Sequence, residues 1–198
     1  MKQVSIVGIG MSPGTVTGQG LEVISRAEVI IGARRMTEAF ADLKKQSYVA
    51  YQPEEVADLI ENSSARCFAV LVSGDTGFYS GAQKLYEYLK RYETRLIPGI
   101  SSVSYFFAQC GLSWQEAGLI SCHGTDMDIV GAVRRNRLTF ALTGGNIPDL
   151  AKMLIEAGFE GLPVRIGENL GMPRESIIET TVEALPEKEY ASLAVLLI

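Results

Sequence analysis

Apolar residues along the chain gather in short runs, and each run is followed by a stretch with helical spacing. The clearest run, residues 67–72 (CFAVLV), is apolar at every position, as in a strand buried on both faces of a parallel sheet. Residues 3–10 (QVSIVGIG), 28–31, 47–51 and 94–97 read as further strands. Between them, residues 20–27, 36–43, 54–62 after Pro53, 77–91 and 101–110 carry helical spacing. Strand and helix alternate, which predicts an α/β fold with a mostly parallel N-terminal sheet. Residues 111–118 read as a join. Beyond it the pattern predicts strands at 119–122, 138–143, 164–167, 176–181 and 193–198, with helices at 127–135 and 147–157. The expected organisation is two small α/β domains, 1–111 and 112–198, without internal repeats or low-complexity tracts.

Composition narrows the class. The 198 residues are 47% hydrophobic and 21% charged, as in a globular domain. No apolar run approaches the ~20 residues needed to span a bilayer. The N-terminal stretch lacks the apolar core and cleavage site of a signal peptide. Cys67, Cys110 and Cys122 are widely spaced and include no CxxC pair, so reduced thiols in the cytoplasm are expected, with no disulfide frame and no metal site. A net charge of −5 argues against nucleic acid as a partner. It leaves room for an anionic small molecule, and two arginine groups, Arg34-Arg35 and Arg134-Arg135 with Arg137, offer forked donors for carboxylates. The alternative for such groups is a solvated face. Arg34 and Arg35 follow a strand end, where ligands of α/β sheets bind, and this favours a functional role for them.

Glycine marks several strand ends: Gly8-Ile9-Gly10, Ser73-Gly74-Asp75-Thr76-Gly77, Pro98-Gly99 and Thr143-Gly144-Gly145. Glycine permits positive φ and close approach of a ligand to the backbone. The first, GIGMSPG, begins like a dinucleotide fingerprint, but Pro13 disfavours helix at Ser12, and Arg34-Arg35 stand where an acid for the ribose is expected. In the second, Asp75 can cap the following helix at the Phe78 N–H. A cap does not need Ser73, Gly74 and Gly77 as well. The fuller reading is a loop whose backbone holds a small polar ligand, with Asp75 favouring a positive centre such as a sulfonium.

Four motifs, VGIG (7–10), VSGDTGFYS (72–80), IPGISSV (97–103) and ENLG (168–171), together resemble the tetrapyrrole (corrin/porphyrin) methylase family, which uses S-adenosylmethionine. They occur in the family's order across essentially the whole chain. IGARRM (31–36), SCHG (121–124) and IGENLGMPRE (166–175) further resemble the branch that methylates C5 of cobalt-precorrin-7 in cobalamin biosynthesis. In some organisms that enzyme is fused to a C15-methylating, decarboxylating domain, and this chain looks like the stand-alone C5 subunit. The resemblance implies two α/β domains with the cofactor in the cleft between them. It implies cofactor contacts at Met11, Gly74, Asp75, Phe78, Ser101 and Ser102, and at Leu142, Thr143, Leu170 and Ala191. It also implies a homodimer and a separately encoded C15-methyltransferase/decarboxylase as a partner. Where many relatives have Gly-Pro-Gly after the first glycines, this chain has Met11-Ser12-Pro13-Gly14, and their following Leu-Thr is Val16-Thr17.

A sulfonium methyl is already activated, so the enzyme's task is alignment with an electron-rich ring carbon. No side-chain nucleophile is expected, and no Ser-His-Asp or Cys-His arrangement stands out. His123, the only histidine, follows a strand end, where a loop role and a substrate contact are both open. Tyr79 and Tyr105 sit at helical spacing among apolar residues and are expected in the core. Arg34 and Arg35 are the candidate partners for the substrate's acetate and propionate groups. The rival readings are a methylase for another ring carbon and a non-catalytic tetrapyrrole or nucleotide sensor.

Overall fold

The first half of the chain builds one all-parallel sheet because every strand is followed by a helix that carries the chain back. In this computed structural model, which describes residues 1–123 and 127–198, the strands are β1 (Gln3–Gly8), β2 (Val29–Gly32), β3 (Gln46–Val49), β4 (Cys67–Val72) and β5 (Glu93–Ile97). Their order is β3-β2-β4-β1-β5, and all pairs run parallel. The central strands are apolar on both faces, and alternate side chains feed different cores. Phe68, Val70 and Val72 of β4 pack with α3 (Pro53–Asn62) and α4 (Ala82–Leu89). Ala69 and Leu71 pack with Val23 and Ile24 of α1 (Gly18–Arg26). Helix α1 starts where Thr17 accepts a hydrogen bond from the Gly20 N–H at 3.0 Å, and α3 starts at Pro53, whose missing N–H costs nothing in a first turn.

The chain divides into two compact units, Met1–Ser102 and Val103–Ile198. In the second, β6 (Ala117–Ser121) and β7 (Leu138–Leu142) are parallel, whereas β8 (Pro163–Glu168), β9 (Ser176–Thr181) and β10 (Val195–Leu197) add antiparallel pairs in the order β6-β7-β10-β8-β9. Helices α6 (Ile129–Arg135) and α7 (Ile147–Glu156) cover one face through Ile129, Ile147, Leu150 and Leu154. Phe140 stands with Phe106 and Phe107 of α5 (Ser102–Gln109), with ring centroids 6.2 and 6.0 Å away. Among the described residues no helix is long and apolar enough to cross a membrane.

Two predicted helices are shorter than their spacing suggests. The helix expected over 77–91 begins only at Ala82, because Tyr79 takes φ +44° and Ser80 Oγ accepts a hydrogen bond from the Ala82 N–H at 3.2 Å. A left-handed tyrosine cannot continue a right-handed helix. The helix expected over 36–43 splits into α2 (Arg34–Glu38) and a 3-10 turn at Ala41–Leu43, and Phe40 between them turns into the core at 6% exposure. Strand β1 ends at Gly8, and Gly10, at φ +68°, leaves the regular ladder.

Candidate active site

Since β1, β4 and β5 are parallel neighbours, the loops that follow them emerge at one edge of the sheet. There the backbones approach until no side chain fits. A Cβ on Gly8 would lie 2.7 Å from the Gly74 carbonyl and 2.8 Å from the Gly99 nitrogen. One on Gly99 would lie 2.2 Å from the Gly74 carbonyl and 2.6 Å from that of Gly8. Gly10 and Gly74 exchange a pair of backbone hydrogen bonds at 3.1 and 2.8 Å. Gly74 has φ +65°, yet a Cβ there would meet nothing within 4 Å. Its glycine is required by conformation, and open space remains beside it.

Asp75 joins two of these loops. Its Oδ2 accepts from the Gly77 N–H at 2.8 Å and its Oδ1 from the Gly99 N–H at 3.0 Å. Because α4 begins only at Ala82, Asp75 does not cap it; its carboxylate closes a turn two residues on and ties across to the third loop. Phe78 is half-buried and meets the Tyr79 ring edge-on, with centroids 4.9 Å apart. Tyr79 itself is 55% exposed, not in the core as its spacing suggests. Ser101 is buried, and Ser102 opens α5.

Met11 is 8% exposed. Its N–H and that of Ser12 both donate to Thr15 Oγ1 at 2.9 Å, which shapes the 3-10 turn at Pro13–Thr15. Helix α1 starts only at Gly18, too late for a dinucleotide fingerprint, which opens its helix directly. The two candidate substrate arginines part company. Arg34 is exposed, with Nη1 3.8 Å from Glu38. Arg35 turns to the loops, donating from Nη1 to the Met11 carbonyl at 3.1 Å and from Nη2 to Ser73 Oγ at 3.3 Å. Partial burial lowers its pKa from the ordinary value.

In the second unit the antiparallel strand brings distant residues to one sheet edge. Leu142 pairs with Val195, which also pairs with Gly167. Thr143 is 1% exposed, and its hydroxyl donates to the Ala194 carbonyl at 2.8 Å. Glu168 Oε1 accepts from the Ala191 N–H at 2.7 Å. The Tyr190 hydroxyl is pushed up by burial and then by the Glu168 charge. His123 is exposed, and its Nδ1 would lie 2.0 Å from a Cβ on Gly144. Gly124, which completes the SCHG motif, lies outside the described residues. Leu170 is 3% exposed, and its Cδ2 would lie 2.9 Å from a Cβ on Gly167. Glu175 secures the loop that follows: its Oε2 accepts from the Gly171 N–H at 2.5 Å and from the Tyr105 hydroxyl at 2.7 Å. Tyr105 is thus half-buried and hydrogen-bonded, where its spacing suggests core.

The structure brings Met11, Gly74 and Asp75 together through Gly10, Arg35 and Ser73, and in the second unit it brings Leu142, Thr143 and Ala191 together. Sequence reasoning missed Glu168 and Glu175 as loop ties. The available signal was an acid ending or closely following a buried strand.

Residues 3–186 match the family Tetrapyrrole (Corrin/Porphyrin) Methylases. The chain belongs to that family and is an S-adenosylmethionine-dependent C-methyltransferase. It is 27% identical over 197 residues to the cobalt-precorrin-7 C(5)-methyltransferase of Salmonella typhimurium, covering 96% of each chain. It is 29% identical over 181 residues to the precorrin-6Y C(5,15)-methyltransferase [decarboxylating] of a Sinorhizobium species, covering 85% of this chain and 43% of that one. Among solved structures, the precorrin-6Y methylase of Archaeoglobus fulgidus superposes with a TM-score of 0.76 at 25% identity, over 99% of this chain and 97% of that one. The uroporphyrin-III C-methyltransferase of Thermus thermophilus complexed with S-adenosylhomocysteine shares the fold, with a TM-score of 0.80 at 20% identity over 98% and 96%.

Proposed function

We propose that the chain transfers a methyl group from S-adenosylmethionine to C5 of cobalt-precorrin-7 in cobalamin biosynthesis. The observation that carries this reading is the junction of Gly8, Gly74 and Gly99, where three backbones meet beside open space. A cradle of main-chain atoms suits a donor with a carboxylate, an amino group and a ribose, each of which bonds to N–H and C=O groups. Met11, Gly74, Asp75, Phe78, Ser101 and Ser102 are the proposed contacts in the first unit, and Leu142, Thr143, Leu170 and Ala191 those in the second. The relatives named for this reaction, matched over nearly their whole length, support the substrate.

The cofactor supplies an electrophilic methyl group. The protein's part is to align it with the ring carbon and exclude water, an orientation effect that supplies several kcal/mol. Asp75 holds the second and third loops in one geometry through its two backbone bonds, so the cradle is formed before the donor arrives. Its carboxylate also sets negative charge near a cationic donor. Arg34 projects a guanidinium from the end of β2, where it can pair with a substrate carboxylate; Arg35 lies beside it. The remaining expectations, a cytoplasmic homodimer working beside a separate C15-methylating partner, belong to the same proposal.

The test is turnover with cobalt-precorrin-7 and S-adenosylmethionine labelled with carbon-13 in the methyl group. A new labelled methyl at C5 by NMR is the expected result. A methyl at another ring carbon overturns the regiochemistry, and no transfer at all points to the sensor.

A further inference from the structure

We infer that Arg35 is a positioning residue, whose guanidinium clamps the first cofactor loop to the second instead of binding a substrate carboxylate. This rests on the proposed cofactor role of Met11 and Gly74. Two neighbouring arginines of the same motif have different surroundings. Arg34 points outward, with Nη1 3.8 Å from Glu38 and three-quarters of its side chain exposed. Arg35 directs both terminal nitrogens to protein acceptors on different loops, the Met11 carbonyl at 3.1 Å and Ser73 Oγ at 3.3 Å.

The Met11 loop is thereby held from both sides. Thr15 Oγ1 takes the N–H groups of Met11 and Ser12, and Arg35 takes the carbonyl of Met11. Ser73 immediately precedes Gly74, which exchanges two backbone bonds with Gly10. One planar fork therefore spans the same two loops that the Gly10–Gly74 bridge joins, and it fixes the direction of the Met11 carbonyl. A lysine carries its donors on a single nitrogen and lacks the planar fork, so it does not reproduce this two-nitrogen geometry.

Titration calorimetry with S-adenosylhomocysteine separates clamp from substrate ligand, alongside KM for cobalt-precorrin-7. The clamp predicts that Arg35→Ala weakens S-adenosylhomocysteine about tenfold or more, as loss of hydrogen bonds from a charged donor implies. Arg35→Lys recovers only part of this, and millimolar guanidinium restores affinity to Arg35→Ala. Ser73→Ala weakens binding less, and adds little when combined with Arg35→Ala. Arg34→Ala leaves S-adenosylhomocysteine binding unchanged and raises the substrate KM. The clamp is overturned if Arg35→Ala binds S-adenosylhomocysteine as the wild type does while its substrate KM rises. It is also overturned if Arg35→Lys restores full affinity. Should Arg35→Ala not fold, Arg35→Lys and Ser73→Ala decide the question. If the wild type does not bind S-adenosylhomocysteine, the cofactor reading itself fails, and the clamp's role falls with it.

Discussion

Asp75 uses each carboxylate oxygen on a backbone N–H, of Gly77 at 2.8 Å and Gly99 at 3.0 Å, so its charge and its geometry serve the loops together. Asp75→Ala leaves the part-buried Gly99 N–H without its partner, whereas the exposed Gly77 N–H can turn to water. The expected loss is about 1–3 kcal/mol measured by urea denaturation, with a larger proportional loss of S-adenosylhomocysteine affinity. If stability falls while affinity per folded molecule is unchanged, Asp75 is a purely structural tie. Gly99 offers a sharper case. A methyl at 2.2 Å from the Gly74 carbonyl cannot be accommodated unless the second and third loops part. Gly99→Ala is therefore expected to cost about 1–3 kcal/mol, as overpacking does, and to abolish cofactor binding in the fraction that folds. Gly74→Ala differs: its Cβ meets open space, and its only penalty is the φ of +65°. Its effect on stability should be smaller than that of Gly99→Ala.

Strands were the more legible elements, and the reason is physical. The apolar run at β4 is bounded by polar residues on both sides, so the sequence pattern and the ladder coincide at Cys67–Val72. Helix starts were less legible where loop chemistry overrides spacing. Tyr86 and Leu89 continue a periodicity that reaches back to Phe78, yet the loop holding Asp75 and Tyr79 delays α4 to Ala82. The glycine loops themselves could be read, because four glycine-rich strand ends exceed what turns require. Which loop touches which could not, since the Gly8–Gly74–Gly99 junction depends on the strand order β4-β1-β5. Likewise, Glu168 meets Ala191 only because β10 runs antiparallel between β7 and β8. The loop after β8 gives a pH prediction. Donation to Glu175, then burial and the Glu175 charge, raise the Tyr105 pKa above its ordinary value. A raised pKa means the folded state holds this proton more tightly. The contribution is fully present below the ordinary tyrosine value of about 10 and is lost as pH rises through the folded one. Thermal denaturation between pH 9 and 11 should show a steeper alkaline decline for the wild type than for Tyr105→Phe, to the extent of this one bond. Equal declines would remove the tie.

For the whole molecule, the family sets the chemistry as methyl transfer, while the donor's seat in the glycine loops and the substrate's at Arg34 belong to the proposal. The two units each carry their own apolar core, so a variant such as Gly99→Ala is expected to act on the first unit's loops and leave the second unit's packing intact. Hydrogen exchange that protects β7 and β8 equally in variant and wild type would bear this out. The most direct measurement is a crystal structure of the protein with S-adenosylhomocysteine. The account predicts ligand atoms within hydrogen-bond distance of main-chain atoms in both the 74–78 and the 99–102 segments, with Asp75 still bonded to Gly99. A ligand bound elsewhere, with those segments untouched, would contradict it.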